Sequence, residues 1–314
     1  MLGLGKQFFM YIWLITIGEP LPMDSNNERL YRTGILANWL IKKNHQVLWW
    51  TSTFDHTRKK QRFDDDHTII LNDHFHIKLL HSISYRKNVS FRRIANHYGI
   101  ARKFKRLAQF EVKPEIILCS FPTIELSLAA TEFGKNNHVP VVLDVRDLWP
   151  DMFLDVMPEK TRKLMKLFLR PMIRNTRTAF SNAAAVFGNT PSFVDWGIRY
   201  GKRDRNSFDR DFPFGYTSKK PTEGEIKKAK EYWKTFGIDE KCKEYIVCFF
   251  GTIGRQFDFQ TIIIASKRLK MQGIPIRFVL CGDGDNLTVY KEMANGCDNI
   301  VFPGWVGKSE IWTL

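Results

Sequence analysis

Four loop segments gather the residue types that bind or activate polar ligands. Gly251-Thr252-Ile253-Gly254-Arg255 follows the apolar run Tyr245–Phe250 and leads into a helical pattern. Its glycines let backbone amides approach a ligand, the helix N-terminus adds partial positive charge, and Arg255 adds a full one. That set suits a diphosphate; the plainer alternative is a strand-to-helix turn. Cys281-Gly282-Asp283-Gly284-Asp285 closes the next apolar run and reads as a turn that lines a nucleotide, or as a turn alone. Asp283 and Asp285, like Asp64-Asp65-Asp66, have a spacing that a divalent ion can use, but one or two carboxylates at a spacing are weak grounds, and no metal is expected.

The third segment is Asp144-Val145-Arg146-Asp147-Leu148-Trp149-Pro150-Asp151, where a buried strand opens into a loop of charges. Asp144, Arg146 and Asp147 are the candidate catalytic residues, because an acid at a strand end can position an acceptor hydroxyl. Structural capping by Asp147 is the bland alternative. The fourth is the loop from Pro22 to Leu30, whose Ser25 and Glu28 have capping-box spacing. It places Asn27, Arg29 and Arg32 at the start of a helix as candidate acceptor-binding residues, or as a solvated face. Gly3-Leu4-Gly5 precedes a strand instead of following one, and His74 and His76 lack a third ligand. There is no G-x-x-x-x-G-K-[ST] or G-x-S-x-G, which argues against P-loop NTPases and common hydrolases.

Holding these loops in place requires strands that end at them. Candidate strands are Phe9–Ile17, Val47–Thr53, Thr68–Leu71, Glu115–Cys119, Val139–Asp144 and Ala184–Phe187. Helical patterns intervene near Glu28–Lys43, Ser90–Gln109, Pro122–Lys135 and Lys160–Phe180. Such alternation predicts a parallel sheet covered by helices. A second series runs strand Tyr245–Phe250, helix Gln256–Gln272, strand Pro275–Cys281, helix Asp285–Asn295, strand Asn299–Phe302, then a helix from Lys308. Tyr200–Glu223 between the series has linker composition. The expectation is α/β with two doubly wound domains, 1–215 and 216–314. The second is expected to be incomplete, because the chain stops within a helix.

Charge is placed unevenly. Lys and Arg number 48 against 33 Asp and Glu, a net charge of +15. Tyr85–Phe110 holds eight basic residues and no acid, and Lys160–Arg177 holds seven and no acid, so these two segments carry the whole excess. A uniformly basic, histone-like chain is excluded, and 44% hydrophobic residues exclude disorder. Arg102, Lys103, Lys105 and Arg106 flank an apolar stripe of Ile100, Phe104 and Leu107, which suits an interfacial helix. Lys163, Lys166, Arg170, Arg174 and Arg177 recur at helical spacing, with Pro171 interrupting the face. Both read as surfaces toward anionic lipid, with nucleic acid as the rival partner. Five cysteines without a C-x-x-C pair point to a reducing cytosol, and ten apolar residues from Phe8 to Ile17 are too few to span a bilayer.

Several blocks together resemble glycosyltransferase family 4, nearest to bacterial surface-polysaccharide enzymes that transfer aminosugars. They are Gly18-Glu19-Pro20-Leu21-Pro22, Asn27 to Gly34, Trp49 to Phe54, Asp144 to Asp151, Gly251 to Arg255, and Phe302-Pro303-Gly304-Trp305-Val306. The resemblance implies a GT-B fold and retaining, metal-independent transfer from a nucleotide sugar, foremost a UDP-sugar, with no cofactor. It implies that Gly251, Thr252, Gly254 and Arg255 meet the diphosphate. Gly282, Asp283 and Gly284 would line the nucleotide, and Trp305 and Val306 the base. The first domain would take the acceptor, often a lipid-linked saccharide, at the cytosolic face of the inner membrane. No nucleic-acid partner is expected. The family's E-x7-E pair, which would follow the Gly304-Trp305-Val306 block, has no counterpart before Leu314; Glu223 and Glu231 share the spacing but precede the second series.

Overall fold

A computed structural model describes residues 9–24, 29–88, 90–155, 157–215, 220–254 and 257–314. Asn27, Arg255 and the Ser25–Glu28 capping box lie outside the described residues. The chain divides into two compact units, Met1–Thr217 and Ser218–Leu314.

In the first unit the strands are β1 (Tyr11–Ile15), β2 (Gln46–Ser52), β3 (Phe54–Asp55), β4 (Lys60–Gln61), β5 (His67–Asn72), β6 (Phe75–Leu80), β7 (Ile116–Phe121), β8 (Val141–Val145), β9 (Ala185–Gly188) and β10 (Arg210–Asp211). The helices are α1 (Arg32–Lys42), α2 (Phe91–Leu107), α3 (Ile124–Asn137), α4 (Asp151–Asp155), α5 (Glu159–Phe168), α6 (Arg170–Asn182) and α7 (Pro191–Gly201). One eight-stranded sheet runs β10-β9-β8-β7-β1-β2-β6-β5. Its pairs are parallel except β5 with β6. The short β3 and β4 form a separate antiparallel pair.

The apolar run expected to be a first strand is β1, at the centre. Its residues alternate between two cores: Trp13 and Ile15 join one cluster, Ile12 and Leu14 the other. Burial on both faces is why the run is continuous instead of alternating. Trp13 stacks on Phe133 at 5.0 Å and meets Trp50 at 5.3 Å, while Trp50 meets Phe104 edge-on at 5.1 Å. Each such pair adds about 0.5–1.5 kcal/mol beyond its buried area.

Three expectations are resolved here. Phe75–Leu80, outside the candidate strands although His74 and His76 alternate as along a strand, pairs in parallel with β2 and buries Phe75, Ile77, Leu79 and Leu80. The helical pattern Lys160–Phe180 takes the second form that Pro171 allowed, two helices, α5 and α6, that meet at Leu169 with Pro171 in the first turn of α6. The apolar stripe of α2 is not interfacial: Ile100 and Phe104 are wholly buried in the core of unit 1. Lys103 pairs with Asp66 and Lys105 with Glu132, both at 2.6 Å. The stripe therefore holds α2 in the core, while Arg102 and Arg106 stay exposed on the helix's other face.

In the second unit α8 (Glu223–Lys234) precedes β11 (Tyr245–Phe250), α9 (Phe259–Met271), β12 (Ile276–Cys281), α10 (Leu287–Met293), β13 (Ile300–Gly304) and α11 (Lys308–Thr313). The strands form a parallel sheet in the order β11-β12-β13. Ile253, Phe259, Ile263, Phe278 and Leu280 anchor one core, and Trp233, Val279 and Cys281 the other. A full capping box, Thr222 with Glu225, starts α8 where the sequence suggested only linker. Among the described residues no helix is long and apolar enough to cross a membrane.

Candidate functional site

In the first unit the strand order reverses at β1, which has β2 on one side and β7 on the other. Such reversals open a crevice at the carboxyl ends of the strands, where open α/β sheets take their ligands. The residues there form one connected polar network. Thr16, just past β1, shares hydrogen bonds with Ser120 of β7 at 2.7 Å and with Thr33 of α1 at 2.9 Å. Glu19 accepts from the Thr33 hydroxyl at 2.7 Å and from its amide at 3.1 Å. Arg146 pairs with Glu19, donates to Thr33 Oγ1 at 3.0 Å and binds Asp144 at 3.0 Å. Arg32 grips both oxygens of Asp144, at 2.8 and 3.0 Å, and also donates to the Phe212 and Pro213 carbonyls.

This arrangement reassigns the expected catalytic trio. Asp144 has no exposed surface and both its oxygens are held by guanidinium groups. A carboxylate so placed cannot touch a substrate; it positions Arg32 and Arg146. Arg32, expected to meet the acceptor, spends its guanidinium on Asp144 and the two carbonyls. Burial works against the Arg146 charge, but Glu19 and Asp144 outweigh it and raise its pKa above the ordinary value. Of the trio Asp144 is buried, Arg146 partly buried and only Asp147 exposed. Desolvation by its surroundings raises its pKa, opposed by the nearby Arg93 and Arg146 charges. Arg29 is exposed, just ahead of α1.

Glu19, Thr16, Thr33 and Ser120 were missed as site residues. Glu19 and Thr16 had a usable signal, since both directly follow the most apolar strand, and Gly18 between them takes a φ of +84° that favours glycine. Thr33 lay within the block Asn27 to Gly34 but nothing there tied it to Thr16, and Ser120 carried no signal, because only folding brings them to Thr16.

In the second unit the two glycine loops are laced to each other at the carboxyl ends of β11 and β12. Gly251 N–H donates to the Cys281 carbonyl at 3.0 Å, Ile253 N–H to Asp283 at 2.9 Å, and Gly282 N–H to Gly304 at 2.7 Å. Gly284 N–H is taken by the Asp283 side chain at 2.8 Å. The amides of Gly251, Gly282 and Gly284, expected to meet the donor, are thus occupied by the fold. Among the described residues those of Thr252 and Gly254 have no bonded acceptor. The helix after β11 begins at Phe259, with Asp258 as its N-cap. Gly251–Gly254 therefore does not form a helix N-terminus, and any anion there relies on loop amides. Asp283 and Asp285 are exposed, and among the described residues no three His, Cys, Asp or Glu gather as a metal site. Trp305 is 77% exposed after β13, whereas Val306 is partly buried against the Trp233 core.

No protein-family model matches the chain, and no curated protein matches it. Solved structures do. WaaG, a glycosyltransferase involved in lipopolysaccharide biosynthesis, is 12% identical with a TM-score of 0.56, over 96% of this chain and 72% of WaaG. Anabaena Alr3699/HepE, solved with UDP and glucose, is 16% identical with a TM-score of 0.53, over 97% of this chain and 72% of HepE. A UDP-forming α,α-trehalose-phosphate synthase from Burkholderia xenovorans is 9% identical with a TM-score of 0.53, over 96% of this chain and 76% of that enzyme. At these identities the likeness concerns the fold, and it runs through both units: the chain has the two doubly wound units of the GT-B glycosyltransferase fold.

Proposed function

We propose that the protein is a retaining glycosyltransferase that moves a sugar of the N-acetylhexosamine type from UDP to a lipid-linked or saccharide acceptor in surface-polysaccharide synthesis. The observation that carries this reading is the likeness over 96–97% of the chain to sugar-transferring enzymes, one of them holding UDP. The second unit is the donor side. The Thr252 and Gly254 amides, with Arg255, are the groups to steady charge on the departing diphosphate, a task that amides and cations perform without a metal. The first unit is the acceptor side, with Asp147 the exposed carboxylate of its strand-end loop. Calorimetric titration of the full chain with UDP and UDP-N-acetylhexosamines should show saturable binding. Absence of heat with every nucleotide tried would sink the reading.

The same reading places the protein on the cytosolic face of a membrane, through α5 and α6 instead of α2. Leu164, Leu167 and Phe168 are 59%, 50% and 71% exposed. Beside them Lys163, Lys166, Arg170 and Arg174 have no ion pair among the described residues. Exposed apolar residues among unpaired cations are what an anionic bilayer surface accepts. Replacing Lys163 and Lys166 by Ser together should weaken sedimentation with phosphatidylserine-containing vesicles by about 30-fold, at about 1 kcal/mol per basic residue. Undiminished binding would return these charges to a solvated face.

A further inference from the structure

A second polar cluster of unit 1 stands apart from the Glu19–Asp144 network, and it is cationic. Arg93, in the first turn of α2, lies with its guanidinium 4.7 Å from the Trp149 ring centre and 5.9 Å from that of Tyr85. One of its terminal nitrogens donates to the Asn88 carbonyl at 2.9 Å, but its Nε is buried with no acceptor. Lys59, in the turn between β3 and β4, sits 5.2 Å from the Tyr85 ring and donates to Asn88 Oδ1 at 2.5 Å. Neither cation has an ion pair among the described residues, and the nearby Asp55 is taken by Arg58 and Arg62.

Two imidazoles complete the surroundings. His56 shares a 2.7 Å hydrogen bond with the Tyr85 hydroxyl and lies 3.3 Å from Lys59 Nζ. Burial, Lys59 and Arg93 push its pKa down to about 4. His97 is stacked on Trp149, and burial with Arg93 and His56 pushes it down to about 3. Both rings are therefore neutral near pH 7, and the positive charge rests on Arg93 and Lys59. Two adjoining cations that make no ion pair among the described residues, one with an unfilled buried donor, are poised for an anion even though Asp147 and Asp55 offset part of their charge. The cluster also adjoins the strand ends: His56 packs beside Gly18, next to Glu19, and Arg93 is close enough to Asp147 to act on its charge.

We propose that Arg93 and Lys59 bind a phosphate group of the acceptor, holding it beside the Asp147 loop. The acceptor role rests on the transferase reading; binding of phosphate by these residues does not. The faces of Trp149 and Tyr85 flank the guanidinium at 4.7 and 5.9 Å and favour a planar fork there, the group that contacts phosphate oxygens in pairs. The phosphate has two possible sources, a polyprenyl-diphosphate carrier or a free sugar phosphate, and both present the same oxygens.

The test is calorimetric titration of the full chain, with UDP saturating, against pyrophosphate, farnesyl diphosphate and a hexose 1-phosphate. Saturable binding is expected, weakened tenfold or more in both Arg93→Gln and Lys59→Gln, with Arg93→Lys recovering part of it. UDP titrations should be unchanged in all three variants. Tighter binding of farnesyl diphosphate supports the lipid-borne source, and tighter binding of the hexose phosphate the free one. No phosphate binding by the wild type, or equal binding by folded Lys59→Gln, overturns the proposal and leaves Arg93 as a packing element of α2. Failure of UDP alone to bind would instead count against the transferase reading.

Discussion

Asp144→Ala should lower the thermal midpoint of the first unit by about 10 °C. The residue is wholly buried and is the shared anion between Arg32 and Arg146. Removing one member of a buried ionic cluster leaves the remaining charge without compensation, at a cost of about 3–5 kcal/mol. For a unit of this size each kcal/mol moves the midpoint by about 2–4 °C. Glu19 still holds Arg146 and the Phe212 and Pro213 carbonyls still hold Arg32, so the lower end of the range is the sounder expectation. Asp144→Asn keeps the shape and some hydrogen bonds, and it should fall between the wild type and the alanine variant. Differential scanning calorimetry reads both. If Asp144→Ala melted like the wild type, Asp144 would not be the centre of the network, and its assignment as a positioning residue would fail.

Gly282→Ala should disrupt the donor loops of the second unit. Gly282 has a φ of +140°, and a Cβ on it would stand 1.7 Å from the Gly251 carbonyl oxygen. That obstacle is backbone, so no rotamer relieves it, and the two loops must part. The expected cost is about 3 kcal/mol or more, with UDP affinity reduced at least tenfold. Gly273→Ala separates clash from backbone strain, because its φ of +70° is also left-handed but a Cβ there meets nothing within 4 Å. It should cost only about 1–2 kcal/mol and leave UDP binding intact. Equal effects of the two substitutions would show that the loop contact does not matter.

The glycines of the second unit also show how a correct signal can carry a different reason. The sequence marks Gly251, Gly282 and Gly284 as close-approach positions, and they are; but what approaches Gly282 and Gly284 is the other loop's backbone. The amides expected to face a ligand are bonded inside the fold, and only Thr252 and Gly254 stay open among the described residues. The α2 stripe teaches the same lesson. Ile100 and Phe104 at helical spacing among arginines fit an interfacial helix and a core-facing helix equally well, because an amphipathic pattern states that a face is buried and not what buries it.

Much of the architecture is decided locally and was legible. An apolar run too short to span a bilayer and without a small-x-small site after it favours a strand with both faces covered, and strand–helix alternation favours a parallel sheet. The linker composition near residue 215 and the two-unit division likewise follow from short-range composition. The chemistry of the site was legible only in part. Asp144, Arg146 and Asp147 were marked by their place at a strand end, but which of them are spent on ion pairs depends on partners 112 and 127 residues away, Arg32 and Glu19. Burial of Asp144 and exposure of Asp147 are properties of the assembled sheet, because strand order puts β8 and α1 in reach of each other. Periodicity and turn chemistry thus mark the elements and the loops that matter. Which charges are spent on one another and which remain for a ligand follows only from folding, because that balance is set by distances between residues the chain keeps far apart.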